Sequence, residues 1–462
     1  MTPSPAEPLP SPWDASALRR QAAGALRASG RVIVALDDDP TGSQTVHGVD
    51  VITTWAVDDL ADALRDADTA LYVLTNTRGM PAAEAAAVTR EAAVNLVAAA
   101  GRVGRPVSVV SRSDSTLRGH FPLETDVLAD VFGADLLCLV PCFPEGGRQT
   151  IGGVHYVVER GERVPAGQTP FARDATFGYR ASHLAEWVEE KTAGRTRAQD
   201  VELVGLRTVR SGPDAVVRQL ETTGRRTVAF DAVDYADVDV IAAAVRALES
   251  LGRRVLVRAA GAYVKCAAGV ADRPLLDAAE LMAGRSTAGG LVVVGSHVPK
   301  STAQLAELLK LPALVHVELD AQAVATGAAG RSVEAASEQV NAALGAGRDV
   351  VVSTSRAVVT GTTPEASLGL SRAVSAALMG VVRSVRHQPR FVLGKGGITS
   401  HELATLGLGV RRARVLGQVM AGVSVWQTGP ESRWPGVPYV VFPGNVGGET
   451  AVAEVVARMR HR

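Results

Sequence analysis

Three adjacent carboxylates, Asp37-Asp38-Asp39, stand directly behind the apolar run Val32-Ile33-Val34-Ala35-Leu36 and ahead of Pro40-Thr41-Gly42. Like charges side by side repel, so a bare turn is a poor reason for them; a cation or a hydroxyl-rich ligand is a better one. A second polar cluster, Ser111 to Arg118, follows the apolar stretch Pro106 to Val110 and carries Arg112, Asp114, Ser115, Thr116 and Arg118. Thr77-Arg78 and Glu145-Gly146-Gly147-Arg148 close two further stretches of the same kind. Arginine forks hold carboxylates bidentately, and aspartates accept from hydroxyls, so the mixture suits a small polyhydroxy acid. Asp38, Asp39 and Asp114 are the candidates for orienting or deprotonating a hydroxyl. Arg78, Ser115, Thr116, Arg118, Glu145 and Arg148 are the candidates for holding the ligand, the arginines at its carboxylate.

The second half carries a different chemistry. Gly295-Ser296 follows the apolar run Leu291 to Val294 and precedes Ser301 and Gln304; Gly394-Lys395-Gly396-Gly397-Ile398-Thr399-Ser400 and Pro443-Gly444-Asn445-Val446-Gly447 repeat the arrangement. A glycine turn between strand and helix presents backbone N–H groups to an anion. The glycine-to-lysine spacing is not that of a P-loop. Thr399 or Ser400 is expected to cap a helix starting at His401-Glu402. Three such turns point to a nucleotide site.

These groups need strands behind them. Short β-branched runs are expected as strands at 32–36, 49–53, 70–74, 106–110, 136–140, 201–206, 227–231 and 254–257, then at 291–294, 314–319, 349–353, 390–393 and 438–442. Helical stretches lie between, including one opened by Pro81. The alternation defines an α/β protein of two domains, each built on a largely parallel sheet with helices on both faces. The expected boundaries are a disordered tail at 1–30, a ligand-binding domain at 31–275 and a nucleotide-binding domain at 286–462. Residues 151–185 break the pattern and read as a functional loop or a hairpin insertion.

Composition narrows the field. The 462 residues are 47% hydrophobic with a net charge near zero, so neither nucleic acid nor an anionic membrane is an expected partner. No apolar run reaches membrane-spanning length, and the Pro-rich start lacks a secretory pattern. Cys138, Cys142 and Cys266 suggest neither disulfides nor zinc, which fits a reducing cytoplasm. No metal site built from His and Cys ligands is expected. His47, His120 and His155 read as hydrogen-bonded structural residues. The sequence admits a homodimer without specifying one.

Taken in order, the motifs resemble those of the four-carbon acid sugar kinases. Asp38-Asp39-Pro40-Thr41-Gly42, Asp114-Ser115-Thr116-Leu117-Arg118-Gly119, Pro141-Cys142-Phe143-Pro144-Glu145-Gly146-Gly147-Arg148, Gly295-Ser296 with Ser301 and Gln304, Gly396-Gly397-Ile398-Thr399, and Pro443-Gly444-Asn445-Val446-Gly447 each match a family motif. Ile398 replaces a glutamate, Pro40 an aromatic residue and Pro443 a serine; Asp37 is an added carboxylate. The resemblance implies an N-terminal domain for a threonate, erythronate or oxo-tetronate type acid and a C-terminal domain for ATP. It further implies that Gly295, Ser296, Ser301, Gln304, Gly396, Gly397, Ile398, Thr399 and Gly444 hold ATP, with Mg²⁺ bridging the phosphates and the domains closing over the substrates. Two rival readings are a haloacid-dehalogenase-type phosphatase using Asp37 and Asp39, and a non-enzymatic sugar-acid sensor.

Overall fold

Val, Ile and Leu runs with apolar side chains on both faces form strands that must be covered on both sides, which favours parallel sheets with helical crossovers. The computed structural model describes residues 10–282, 288–296, 298–356, 364–444 and 446–460, and divides into two units, Met1–Asp272 and Arg273–Arg462. The first unit carries strands β1 (Val32–Asp37), β2 (Val49–Ile52), β3 (Ala70–Leu74), β4 (Val107–Arg112) and β5 (Leu136–Val140). Three more, β6 (Arg148–Ile151), β7 (Val154–Glu159) and β8 (Glu162–Pro165), are followed by β9 (Val201–Val204), β10 (Thr227–Phe230) and β11 (Val255–Ala259). Its main sheet runs β2-β3-β1-β4-β11-β5-β10-β9, every pair parallel. The chain lays β2 and β3 on one side of β1 and then crosses to place β4 on the other. That reversal makes a switch point at the carboxyl ends of β1 and β4, where open α/β sheets bind ligands.

Strands β6–β8 form a separate antiparallel sheet, so the hairpin reading of residues 151–185 holds for its first part. The disordered tail expected at 1–30 is corrected in its second part: helix α1 (Leu18–Ser29) buries Ala22, Ala23 and Leu26, and Arg19 forks onto the carboxylate of Asp239, while residues 1–9 lie outside the described residues. An apolar stripe at helical spacing was enough to fold it. Helix α2 (Leu123–Phe132) follows the second polar cluster. The core behind the switch point contains Val32, Val34, Leu36, Leu71, Val73, Leu96 and Val109.

The second unit carries β12 (Leu291–Val294), β13 (Leu314–Leu319), β14 (Asp349–Thr354), β15 (Val392–Lys395), β16 (Arg412–Met420), β17 (Val423–Thr428) and β18 (Pro438–Phe442). Their order is β13-β14-β12-β15-β18-β17-β16; the first five are parallel, and β16 to β18 pair antiparallel. Here β12 is flanked by β14 and β15, so a second switch point falls at its carboxyl end. Helix α3 (Pro299–Leu308) follows β12, and the short helix α4 (Gly397–Glu402) follows β15. Among the described residues no helix is long and apolar enough to cross a membrane.

Candidate functional site

The polar groups of the first unit meet at its switch point. Asp37 closes β1 and Arg112 closes β4, and Arg112 Nη1 lies 2.9 Å from Asp37 Oδ1 and 3.7 Å from Asp38 Oδ1. Arg78 forks onto Asp38, with Nε 3.1 Å from Oδ2 and Nη2 on Oδ1; its Nη1 reaches Asp39 at 3.3 Å and Asp114 at 3.8 Å. Arg118 Nε donates to Asp114 Oδ2 at 2.8 Å, and the Thr116 hydroxyl caps the same oxygen. Asp39 accepts from the Thr41 backbone N–H and hydroxyl. The repulsion within the aspartate run is therefore relieved by the guanidiniums of Arg78 and Arg112.

Environment separates these carboxylates. Burial pushes the Asp37 carboxyl up to about 7 against the pull of Arg112. Burial also works to raise Asp39 and Asp114. Arg78 and Thr41 outweigh it at Asp39, and Arg118 and Arg78 outweigh it at Asp114, so both stay below the usual carboxylate range. Asp114 is thus held ionised, as a hydrogen-bond acceptor.

Packing fixes the turn. A Cβ on Gly42 would overlap the Asp37 carboxylate and stand 2.5 Å from Arg112 Nη1. Gly42→Ala is expected to cost roughly 2–4 kcal/mol, by overpacking beside a buried ion pair. Urea denaturation measures this, and an unchanged midpoint would contradict the packing. The same seal covers Asp37, which is 2% exposed, and does not favour it as a phosphatase nucleophile.

The remaining candidates divide. Arg148 Nη1 donates to the Gly146 carbonyl, and its guanidinium sits 5.4 Å from the Phe171 ring. Among the described residues Arg148 has no carboxylate partner. Ser115 gives its carbonyl to His155 Nε2 at 2.8 Å. Glu145 lies apart: it accepts from the Tyr235 hydroxyl at 2.6 Å and pairs with none of the arginines of the cluster among the described residues. His47, His120 and His155 all bond backbone carbonyls, as structural histidines do.

Sequence reasoning missed two members, Arg258 and Glu124. Arg258 is 4% exposed on β11, donates to the Arg118 carbonyl at 3.1 Å and lies against Phe121 and Trp187. A lone arginine inside the apolar run 255–259 was a readable signal. Glu124 opens with helix α2 and accepts from the Thr77 hydroxyl at 2.5 Å; burial, then Asp38, pushes it up to about 7. It read as an ordinary acid in a first helical turn.

In the second unit the three glycine turns follow β12, β15 and β18, and β15 lies between the other two. A Cβ on Gly295 would come 2.5 Å from Thr399 Oγ1, so the first two turns touch; Gly396 has φ +101°, the glycine-favouring region. Gly396 is the N-cap of α4 and Gly397 its first residue. The helix therefore starts four residues before the expected His401, and neither Thr399 nor Ser400 caps it; the Ser400 hydroxyl donates to the Gly394 carbonyl at 2.9 Å instead. Ser301 and Gln304 face inward from α3. Gln304 Nε2 donates to the Val446 and Gly448 carbonyls at 3.1 and 2.7 Å, while Gln304 Oε1 and Ser301 Oγ are buried without a hydrogen-bond partner among the described residues. Ser296 gives its carbonyl to Arg356 Nη1 at 2.7 Å. His297 and Asn445 lie outside the described residues.

Lys395 ties the turns together. It is 1% exposed, and its Nζ donates to the Pro443 and Gly444 carbonyls at 2.7 and 3.1 Å. Burial, with a smaller push from Lys300, lowers the ammonium to about 7. Ile398, in contrast, is 64% exposed. Ile398→Ala is expected to change stability by no more than about 0.5 kcal/mol, read as a thermal midpoint; a larger loss would mean that the side chain packs.

With both switch points described, the class is that of a two-unit α/β protein with an ionic cluster in one unit and glycine turns in the other. Residues 33–266 match the family model of a sugar-binding N-terminal domain, and residues 291–452 that of a nucleotide-binding C-terminal domain. The chain belongs to the four-carbon acid sugar kinase family. It is 35% identical over 163 residues to the D-erythronate kinase of Heliobacterium modesticaldum, covering 34% of this chain and 35% of that protein. It is 28% identical over 278 residues to the 3-oxo-tetronate kinase of Methylobacterium radiotolerans (58% and 62%), and 31% over 287 residues to the D-threonate kinase of Bordetella bronchiseptica (59% and 61%). The matched stretches thus span from about a third to three fifths of these curated relatives. A solved protein of Salmonella typhimurium LT2 shares the fold, with a TM-score of 0.67 at 16% identity, covering 94% of this chain and 99% of that one.

Proposed function

We propose that this chain is an ATP-dependent kinase that phosphorylates a hydroxyl of a four-carbon sugar acid of the threonate, erythronate or oxo-tetronate type. The observation that carries the reading is the pairing of two kinds of switch point, one ionic and one lined by glycine turns, in a member of this family. The three relatives above are named as kinases of such acids.

In the first unit Arg148, whose guanidinium has no carboxylate partner among the described residues, is the anchor for the substrate carboxylate, with Arg118 beside it. Arg78 is shared among Asp38, Asp39 and Asp114. It holds these carboxylates where substrate hydroxyls can donate to them. Asp114, held ionised, orients a hydroxyl more readily than it removes the proton, and phosphoryl transfer asks mainly for placement and charge neutralisation.

The residues of the second unit fit a nucleotide. Beside Gly444 nothing among the described residues stands within 4 Å of where a Cβ would lie, and beside Gly396 only the Ser296 Cβ at 3.6 Å, so these turns leave room for phosphate oxygens, with Gly295 and Gly397 adjoining them. Ser301 Oγ and Gln304 Oε1, without partners among the described residues, offer a donor and an acceptor, and Thr399 stands against Gly295. ATP, when bound there, supplies the phosphoryl group. No group of three His, Cys, Asp or Glu among the described residues is arranged to hold a metal ion. Mg²⁺, when bound with ATP, would supply neutralising charge at the phosphates. Three free, buried cysteines accord with a cytoplasmic enzyme.

Coupled ADP-release assays against D- and L-threonate, D- and L-erythronate and their oxo forms test this. Turnover with at least one acid, far above ATP alone, is the expected result. Phosphate release from a sugar phosphate with no ATP consumed would favour the phosphatase reading, and binding without turnover the sensor.

A further inference from the structure

The irregular segment after β8 is fastened to the ionic cluster at four points. The Phe171 ring lies 5.3 Å from the Arg118 guanidinium and 5.4 Å from that of Arg148. Asp174 Oδ2 stands 3.6 Å from Arg118 Nη1. Phe177 meets the His120 ring edge-on at 4.9 Å, and the Tyr179 hydroxyl donates to the Thr116 carbonyl at 2.6 Å. Asp174 also shapes its own turn by accepting from the Thr176 and Phe177 N–H groups at 2.9 and 3.0 Å.

Two like-charged guanidiniums close together repel. Arg118 has ion pairs with Asp114 and Asp174 to offset this; Arg148, among the described residues, feels Asp114 from beyond ion-pair distance and makes its direct contacts with the Gly146 carbonyl and the Phe171 ring. The negative face of an aromatic ring attracts a cation and restricts where its plane can lie. One ring serving two guanidiniums therefore fixes them as a pair.

We infer that Phe171 is a positioning residue for the sugar-acid site: its ring, carried on the segment Pro170–Arg173, holds Arg118 and Arg148 together as one receptor for a carboxylate, and residues 170–179 form a wall of that site. This deepens the kinase reading and rests on it for the identity of the ligand. Phe171 touches no reacting atom. Its contribution is to the order of the two arginines before the acid arrives, which lowers the cost of binding. The consequence expected is confined to the acid, because Phe171, Arg118 and Arg148 all belong to the first unit.

Phe171→Leu keeps an apolar side chain and removes the ring; Phe171→Tyr keeps the ring. In steady-state kinetics of the full chain, Phe171→Leu is expected to raise KM for the sugar acid about tenfold, a loss of about 1.4 kcal/mol, with kcat within threefold and KM for ATP unchanged. Phe171→Tyr is expected to stay within twofold of the parent. Equal rises in both KM values, or no rise in Phe171→Leu, would overturn the assignment. ¹⁵N spectra of the arginine side chains give a readout independent of turnover. The Nε–H resonances of Arg118 and Arg148, assigned with Arg118→Lys and Arg148→Lys, should both move when the ring is lost and stay in place in Phe171→Tyr. If the parent phosphorylates no acid, the kinase reading fails, and these spectra alone decide the role of Phe171: unmoved resonances reject it.

Discussion

Arg78→Met is expected to destabilise the protein by about 3–5 kcal/mol and to lower turnover at least a hundredfold. Arg78 is the only cation that reaches Asp38, Asp39 and Asp114 together among the described residues, and Asp38 is 2% exposed. Removing one partner of a buried pair leaves an uncompensated charge, which costs far more than the pair contributes. Arg112 remains 3.7 Å from Asp38 but already serves Asp37. Arg78→Lys is not expected to rescue, because a single ammonium cannot take up a fork shared by three carboxylates. The pH dependence has a definite sign. Asp39 and Asp114 are held below their ordinary range partly by Arg78. A depressed carboxylate contributes stability above its unfolded value near 4 and loses it as pH falls toward the folded one. The gap between parent and variant should therefore be full above about pH 5 and shrink below about pH 4. Urea titrations at pH 3.5, 5 and 7, with ADP release at pH 7, measure both effects; a gap independent of pH would contradict the assignment.

Lys395→Met separates stability from nucleotide binding. Lys395 holds the Pro443–Gly444 turn to the end of β15, so its loss is expected to raise KM for ATP at least tenfold while KM for the sugar acid stays within twofold. Its ammonium is lowered to about 7 by burial, whereas in the unfolded chain it titrates near 10.4. Between those values the unfolded state binds the extra proton, so stability rises with pH there and is flat below pH 7. The variant lacks this term. Parent stability should therefore gain on Lys395→Met as pH rises from 7 to 10, by at most about 1.4 kcal/mol per pH unit. At pH 7 the variant should match or exceed the parent, because no cation is left buried, less the cost of two unpaired carbonyls. A parent that loses ground with rising pH would mean that the lysine is not buried as described.

The strands were legible because periodicity and β-branching are local properties. Ala70–Leu74, Leu136–Val140, Leu291–Val294 and Pro438–Phe442 fall where their apolar runs lie. The antiparallel pair Arg412–Met420 and Val423–Thr428 went unread because its first strand alternates with polar and glycine positions around two bulges. Helix α1 was hidden by the Pro-rich stretch before it. At the site, Asp38, Asp39, Asp114, Arg78 and Arg118 converge as their motifs suggested, since each closes a strand or follows one. Which carboxylate pairs with which arginine was not legible: that depends on strand order, and it is the crossing of β4 to the far side of β1 that brings Arg112 to Asp37. Glu145 shares a motif with Arg148 yet turns to Tyr235, because it sits inside the 3₁₀ turn Pro144–Gly146 while Arg148 opens β6 beyond it. Arg258 and Phe171 come from outside every motif and were placed by tertiary packing alone.

In the kinase proposed here the acid binds in the first unit and the nucleotide in the second. Hydrogen–deuterium exchange of the full chain, with a turned-over sugar acid alone and with a non-hydrolysable ATP analogue plus Mg²⁺ alone, tests it most directly. The acid should slow exchange in peptides spanning 37–42, 76–80 and 112–119, and the analogue in peptides spanning 295–304, 394–400 and 443–448. Protection of 37–42 by the analogue, with 394–400 unaffected at saturation, would contradict the account.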